Sequence, residues 1–166
     1  MDRKAFRFSV TFALVVINGA VYIYTSFLGS NAITTPLGIL RTYGQYNYAV
    51  LRLGWWWQLV TSIFVHGNIF HLISNIFFLL IFGLRAEDFF SDGEYCLVYF
   101  ASGLTGGLFT LLYPLQVTSA GASGAIFGLF GGVTMYMRKI SERSVLGAVL
   151  FAFIFFMITL SIDTNV

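Results

Sequence analysis

The sequence predicts an all-α polytopic membrane protein built as one domain. Two compositional facts and one pattern predict it. Of 166 residues, 58% are hydrophobic and only 10% are charged, and the mean hydropathy is +0.83. Soluble domains carry about 25% charged residues. Nine basic and seven acidic side chains could not cover a water-facing surface on a chain of this length. The pattern lies in the spacing of those charges, which leaves uncharged runs over 8–40, 53–84, 95–137 and 144–162. A spanning helix needs about 20 predominantly apolar residues, so each run holds at least one.

The first helix is expected near 8–28. Arg3, Lys4 and Arg7 precede it, as basic residues precede a signal peptide. Its apolar stretch exceeds the roughly 7–15 residues of a signal core, so it reads as a retained helix. A long outer loop, 29–66, follows. It carries Pro36, Tyr43, Tyr46, Tyr48 and the triplet Trp55-Trp56-Trp57, which holds every tryptophan of the chain. Such rings favour the headgroup interface, where an apolar body and a polar edge are both satisfied. Unstructured loops beyond about 12–15 residues are uncommon in compact domains; this one is expected to fold and to lie partly in the outer leaflet.

A second helix is expected near 67–86. The run 95–137 is too long for one span and breaks at Tyr113-Pro114-Leu115-Gln116, where proline favours a turn. It yields helices near 93–112 and 121–138, and the last run yields a fifth helix near 144–162. Lysine and arginine counts orient the chain. Arg3, Lys4, Arg7, Arg85, Arg138, Lys139 and Arg143 fall on one side, against Arg41 and Arg52 on the other. The N-terminus is therefore expected to be cytoplasmic.

Other classes are excluded by what is scarce. A net charge of +2, dispersed along the chain, argues against nucleic-acid binding. The single cysteine, Cys96, cannot form an internal disulfide, and with two histidines it makes a poor metal inventory. It reads as a small apolar packing residue. Neither a metal nor any other cofactor is called for.

Polar side chains inside a bilayer are costly when unsatisfied, so their placement carries information. His71 and Asn75 are four residues apart and share one helix face. Ser123 lies in Gly121-Ala122-Ser123-Gly124-Ala125, at the outer start of a helix. At a rise of ~1.5 Å per residue, His71 lies ~21 Å above Arg85 and Ser123 ~22 Å above Arg138. Two helices thus bring an imidazole and a hydroxyl to one depth in the outer third of the membrane. Small residues also mark helix-packing seams, and Gly124, Gly128 and Gly132 would form one, as would Gly103 and Gly107. Spacing alone leaves Ser123 open between packing and chemistry. The strand–turn–helix context of an α/β-hydrolase nucleophile is absent.

These motifs together resemble the rhomboid family of intramembrane serine proteases. The stretch His66-Gly67-Asn68-Ile69-Phe70-His71-Leu72-Ile73-Ser74-Asn75 is similar to the family's histidine-rich segment ending His-x-x-x-Asn. Gly121-Ala122-Ser123-Gly124 resembles its Gly-x-Ser-Gly nucleophile motif. Trp57-Gln58 resembles a Trp-Arg pair of the first outer loop, with glutamine in place of arginine, and Glu87 stands where the family commonly has a glutamate. The likeness runs from Trp57 to Gly132.

The resemblance implies a rhomboid-like helical bundle of six helices, of which five are expected here. It implies Ser123 as nucleophile, and His71, Asn75 and the Ser123 backbone N–H as an oxyanion hole. Gly121 would let the substrate carbonyl approach, and His66 would be structural or hydrating. The activity implied is endopeptidase cleavage of transmembrane-helix proteins near the outer face of a lipid bilayer, expected to be a prokaryotic plasma membrane. The family's general base is a histidine on a sixth helix, and no third histidine occurs among the 166 residues. The expectation is that the base lies beyond Val166 and that this chain alone is inactive. The alternative is a rhomboid-like pseudoprotease that binds transmembrane helices without cutting them. A transporter or channel is disfavoured, since no acidic residue falls inside a span and such residues usually mark ion pathways.

Overall fold

The computed structural model describes residues 9–141 and Gly147. The fifth predicted helix, 144–162, lies outside the described residues except for Gly147. The order of elements is α1 (Val10–Gly29), α2 (Leu37–Tyr43), β1 (Gln45–Tyr46), α3 (Asn47–Leu53), α4 (Gln58–Thr61), α5 (Ile69–Glu87), α6 (Asp92–Thr110), β2 (Thr118–Ser119) and α7 (Ser123–Ser141). Four long helices form a bundle, and three short ones with a two-stranded ladder form a cap over one end.

Local chemistry explains where each long helix starts. Ser9 caps α1, its hydroxyl accepting from the Phe12 N–H. Asn68 caps α5 by accepting from the His71 N–H at 2.8 Å, which moves the start two residues past the expected 67. Ser91 and Glu94 form a reciprocal capping box at α6, the arrangement that satisfies two otherwise orphaned N–H groups. The expected start of the next helix at 121 is displaced to Ser123 because Gly121 has φ +119°, which no helical residue adopts.

The helices alternate in direction. Ser9 and the Thr11 N–H both donate to Glu87 Oε1 at 2.8 Å, so the start of α1 meets the end of α5. Glu87 thus acts as a carboxylate cap on the positive end of the α1 dipole. Between α6 and α7, Gly103 meets Gly124 and Ala125, Ser102 meets Gly128, and Val98 meets Gly132, an antiparallel seam of small residues that brings the backbones close. Phe82 lies against Phe130 at 4.8 Å and Phe89 against Tyr136 at 4.9 Å between ring centres, so α5 and α7 run parallel. Arg85, Arg138 and Lys139 therefore gather at one end of the bundle, with Arg41 and Arg52 in the cap at the other.

Among the described residues, α1 and α5 are long and apolar enough to cross a membrane by length and composition; α6 and α7, also 19 residues each, are diluted by glycine, serine and threonine. The core is formed by Leu79, Tyr95, Tyr99, Ile126 and Leu129. Large apolar side chains also cover the outside: Phe27 and Leu112 are each 81% exposed and Ile23 71%. An apolar exterior of that extent marks a surface that meets a membrane or other protein.

The outer segment 29–66 folds on buried polar side chains. Gln58 is wholly buried; its Nε2 donates to the carbonyls of Arg41 (2.8 Å) and Thr42 (3.0 Å), and its Oε1 accepts from the Tyr46 N–H at 3.0 Å. Thr35 donates from its hydroxyl to the His66 carbonyl at 2.7 Å and from its N–H to the Gly67 carbonyl at 2.8 Å. The tryptophans point outward, with Trp55 and Trp57 stacked at 5.8 Å and all three at least 37% exposed, whereas Phe64 packs against the core.

At the opposite end, α1, α5 and α6 meet at Gly83. A Cβ there would lie 2.5 Å from Tyr95 Oη and 2.7 Å from Thr11 Oγ1, two atoms that hydrogen-bond to each other at 3.1 Å. Gly83→Ala should force those helices apart and cost about 1–3 kcal/mol. An unfolding titration in detergent micelles checks this; an unchanged midpoint would mean the junction is looser than described.

Candidate active site

The first turns of α5 place two polar side chains among apolar neighbours. His71 and Asn75 are both 2% exposed. Asn75 Nδ2 donates to the His71 carbonyl at 2.9 Å, a bond back along the helix that fixes the amide. An amide nitrogen carries two N–H groups, so one remains to serve the site. Asn75 Oδ1 has no hydrogen-bond partner among the described residues.

Gly121 sits directly against this pair. A Cβ on Gly121 would lie 2.7 Å from His71 Nε2, 2.8 Å from His71 Cε1 and 3.9 Å from Asn75 Nδ2. Both side chains therefore converge on the space that a side chain at 121 would occupy. Glycine is required twice over, by that approach and by φ +119°. The Gly121 N–H donates to the Ser62 carbonyl at 2.8 Å, and just upstream β2 pairs antiparallel with β1, Gln45 opposite Ser119 and Tyr46 opposite Thr118.

Ser123 begins α7, two residues past Gly121, where unpaired helix N–H groups and the positive end of the dipole favour negative charge. It lines a cavity of about 160 Å³ together with Gly121, Ser62, Gln45 and Thr110. A second cavity, of about 250 Å³, lies across the 119–120 stretch and is lined by His71, Leu37, Leu40, Gly67 and Thr118. The four candidate residues fall in one region: Gly121 touches the His71 and Asn75 side, and Ser123 opens on the other.

His66 lies just ahead of α5. It is wholly buried and packs edge-on against His71, with ring centres 5.2 Å apart and planes at 78°. Its Nδ1 meets the Phe64 carbonyl at 3.1 Å; a carbonyl can only accept, so Nδ1 carries the proton. Burial pulls its pKa down to about 3, the neighbouring His71 adds to the fall, and the Phe64 bond partly opposes it. His66 is therefore a neutral wall behind His71.

A family profile described as "Rhomboid domain" matches residues 53–165. The chain belongs to the rhomboid family. It is 34% identical over 118 residues to "Rhomboid protease GluP" of Bacillus subtilis (strain 168), covering 69% of this chain and 23% of that protein. To "Rhomboid-like protein 11, chloroplastic" of Arabidopsis thaliana it is 36% identical over 142 residues, 82% of this chain and 47% of the relative. It is also 31% identical over 98 residues to "Inactive RHOMBOID-like protein 8" of the same plant, 54% of this chain and 28% of the relative. The chain thus spans about half or less of the length of these curated relatives. No solved structure matches it.

Sequence reasoning missed several buried polar residues around this candidate site: Gln45, Asn47, Ser62 and Asn68. Asn68 had a legible signal, an asparagine ahead of an apolar helix run. Gln45 and Asn47, polar residues flanking a tyrosine in an aromatic loop, had a weaker one. Ser62 contributes through its carbonyl, and a main-chain acceptor leaves no trace in the sequence.

The buried His66 makes stability depend on pH. Unfolded, it takes up a proton below about 6.5; folded, it resists until about 3. The unfolded state binds more protons in that window, so stability is full above 6.5 and falls as pH drops towards 3. The melting temperature should fall with acidification, and the drop should be shallower in His66→Leu. Parallel melting curves for the two proteins would exclude this role.

Proposed function

We propose that this rhomboid-family chain forms the nucleophile and oxyanion half of an intramembrane serine endopeptidase acting on transmembrane proteins near the outer membrane face. The observation that carries the reading is the convergence of His71 Nε2 and Asn75 Nδ2 on the empty side of Gly121, two residues from a serine at a helix start. Ser123 Oγ would attack the carbonyl carbon of a scissile peptide bond. The developing oxyanion would accept from His71 Nε2–H, the free N–H of Asn75 and the Ser123 backbone N–H, donors that commonly supply several kcal/mol in a poorly hydrated site. The proton taken from Ser123 Oγ by the base would pass to the leaving nitrogen, so that collapse breaks the C–N bond, releases the amine product and leaves an ester on Ser123. Water admitted by the polar cavity beside Ser123 would then cleave the ester.

A base must receive the Ser123 proton within hydrogen-bond reach. In this reading His71 serves the oxyanion and His66 is a wall, so neither takes that role. The family resemblance assigns it to a histidine on a sixth helix. With α1, α5, α6 and α7 as spanning helices, the end bearing Arg85, Arg138 and Lys139 would face the cytoplasm of a prokaryotic cell and the aromatic cap would lie in the outer leaflet.

The relative named inactive supports a second reading, a pseudoprotease that captures transmembrane helices without cutting them. One pair of measurements separates the two. The natural gene product, reconstituted in liposomes, should cleave a single-span substrate and take a fluorophosphonate label on Ser123, and Ser123→Ala should abolish both, at least a 10³-fold loss of kcat. Unlabelled wild type that captures substrate helices as well as Ser123→Ala does would replace the protease reading with the binding one. Gly121→Ala should also abolish labelling, because its methyl group would occupy the space in front of His71.

A further inference from the structure

The chain between α6 and α7, residues 111–122, is almost free of helix, yet it must deliver Gly121 to His71 and Asn75 with sub-ångström accuracy. Its only regular pairing is the β1–β2 ladder, two residues long. A ladder that short has no alternation of apolar faces to lock its register, and a slip of one residue would carry Gly121 about 3.3 Å along the strand. That shift would also break the Gly121–Ser62 hydrogen bond. Something else must set the register.

We propose that Asn47, braced by Gln45, is a positioning residue that fixes this register and so holds Gly121 and Ser123 in the site. Asn47 is wholly buried. Its Nδ2 donates to the Thr110 carbonyl at 2.8 Å and shares its second N–H between the carbonyls of Tyr113 (3.3 Å) and Pro114 (3.2 Å). Its backbone N–H donates to the Val117 carbonyl at 3.1 Å, and the next N–H, on Tyr48, donates to the Leu115 carbonyl at 2.9 Å. Five carbonyls of the connection, from the last residue of α6 to the start of β2, are thus gathered on two adjacent residues. The side chain contributes what the ladder lacks, because three acceptors from a turn fit one amide in a single alignment.

Gln45 ties this clamp to the bundle. Its Nε2 donates to Asn47 Oδ1 at 3.2 Å and to the Gly107 carbonyl of α6 at 2.8 Å. It is 1% exposed and borders the same cavity as Ser123. Its backbone is the β1 partner of Ser119. The line of fixed contacts therefore runs from α6 through Gln45 and Asn47 into β2, and four residues later reaches Ser123. Removing the Asn47 amide leaves the ladder present and its register free, which alters the reacting geometry more than the substrate's affinity. Displacement by about 1 Å can cost 10²-fold in rate.

This inference rests on the protease reading for its kinetic consequence, and on hydrogen exchange for its structural one. The full natural chain, reconstituted in liposomes, would carry Asn47→Ala, Gln45→Met or, as a control, Thr11→Val, which removes the Thr11–Tyr95 hydrogen bond at the far end of the bundle. Asn47→Ala should lower kcat by about 30-fold or more with KM within about threefold, slow fluorophosphonate labelling of Ser123 by the same factor, and speed amide exchange over 115–121 by about tenfold. Exchange over 83–95 should not change. Gln45→Met should act in the same direction with a smaller loss, and it provides the readout if Asn47→Ala fails to fold. Thr11→Val should lower the melting temperature and leave kcat and labelling as they are. Equal kcat in the Asn47 or Gln45 variant and the control, or unchanged exchange over 115–121, would overturn the proposal. If the wild type neither cleaves nor labels, the protease reading falls, and the exchange comparison alone decides the role of Asn47.

Discussion

A backbone that leaves the helical state inside an apolar protein must find partners for every N–H and C=O it frees, and the candidate site depends on how the outer segment meets that demand. Gly121 is held because its N–H reaches the Ser62 carbonyl, and Ser62 is held because α4 is anchored by the buried Gln58. The connection before it is held because the Asn47 amide collects the carbonyls that follow α6. Apart from Gly121 itself, none of these bonds involves a candidate site residue. Each contributes modestly alone, since a protein hydrogen bond nets about 1 kcal/mol. Leaving one of these buried groups unsatisfied costs more than making the bond gains, so the network holds together as a unit.

The two ends of the bundle are stabilised by different means. At the cap, buried amides and hydroxyls fix irregular backbone, and the tryptophan rings are turned outward. At the other end, packing has the larger share: Phe89 and Phe90 meet Tyr136 and Gly83 admits Tyr95 and Thr11, while the polar contacts include the Glu87 carboxylate at the start of α1 and the Thr11–Tyr95 hydrogen bond. The candidate site lies at the end where directional bonds set the geometry. Packing without such bonds fixes position less sharply, and it suffices where the task is only to close the bundle.

The departure from the family pattern at Gln58 follows from the same logic. The carbonyls of Arg41 and Thr42 need donors, and the Tyr46 N–H needs an acceptor. A glutamine amide supplies both functions without burying a charge, whereas an arginine supplies donors only. The neutral residue therefore links α2 to β1 in a wholly buried position at no ionic cost. The family profile begins at residue 53, and the contacts that hold α2 and β1 ahead of it are made with this chain's own side chains.

The amino-acid sequence by itself determined the helical architecture, the approximate bounds of four long helices and the break at Pro114, and it singled out the four candidate residues. It could do so because hydropathy, charge spacing and an i, i+4 pair are properties of contiguous residues. Asn68 and Ser91 could be read as caps for the same reason. Only the tertiary structure decided that Gly121 faces His71 and Asn75, that His66 is wholly buried beside His71, and that loop 29–66 carries three helices and a strand. Those outcomes rest on pairings between residues far apart in the chain, such as Gln45 with Gly107 and the Gly121 N–H with the Ser62 carbonyl. A main-chain acceptor looks the same at every position of a sequence, and folding alone selects which donor it meets.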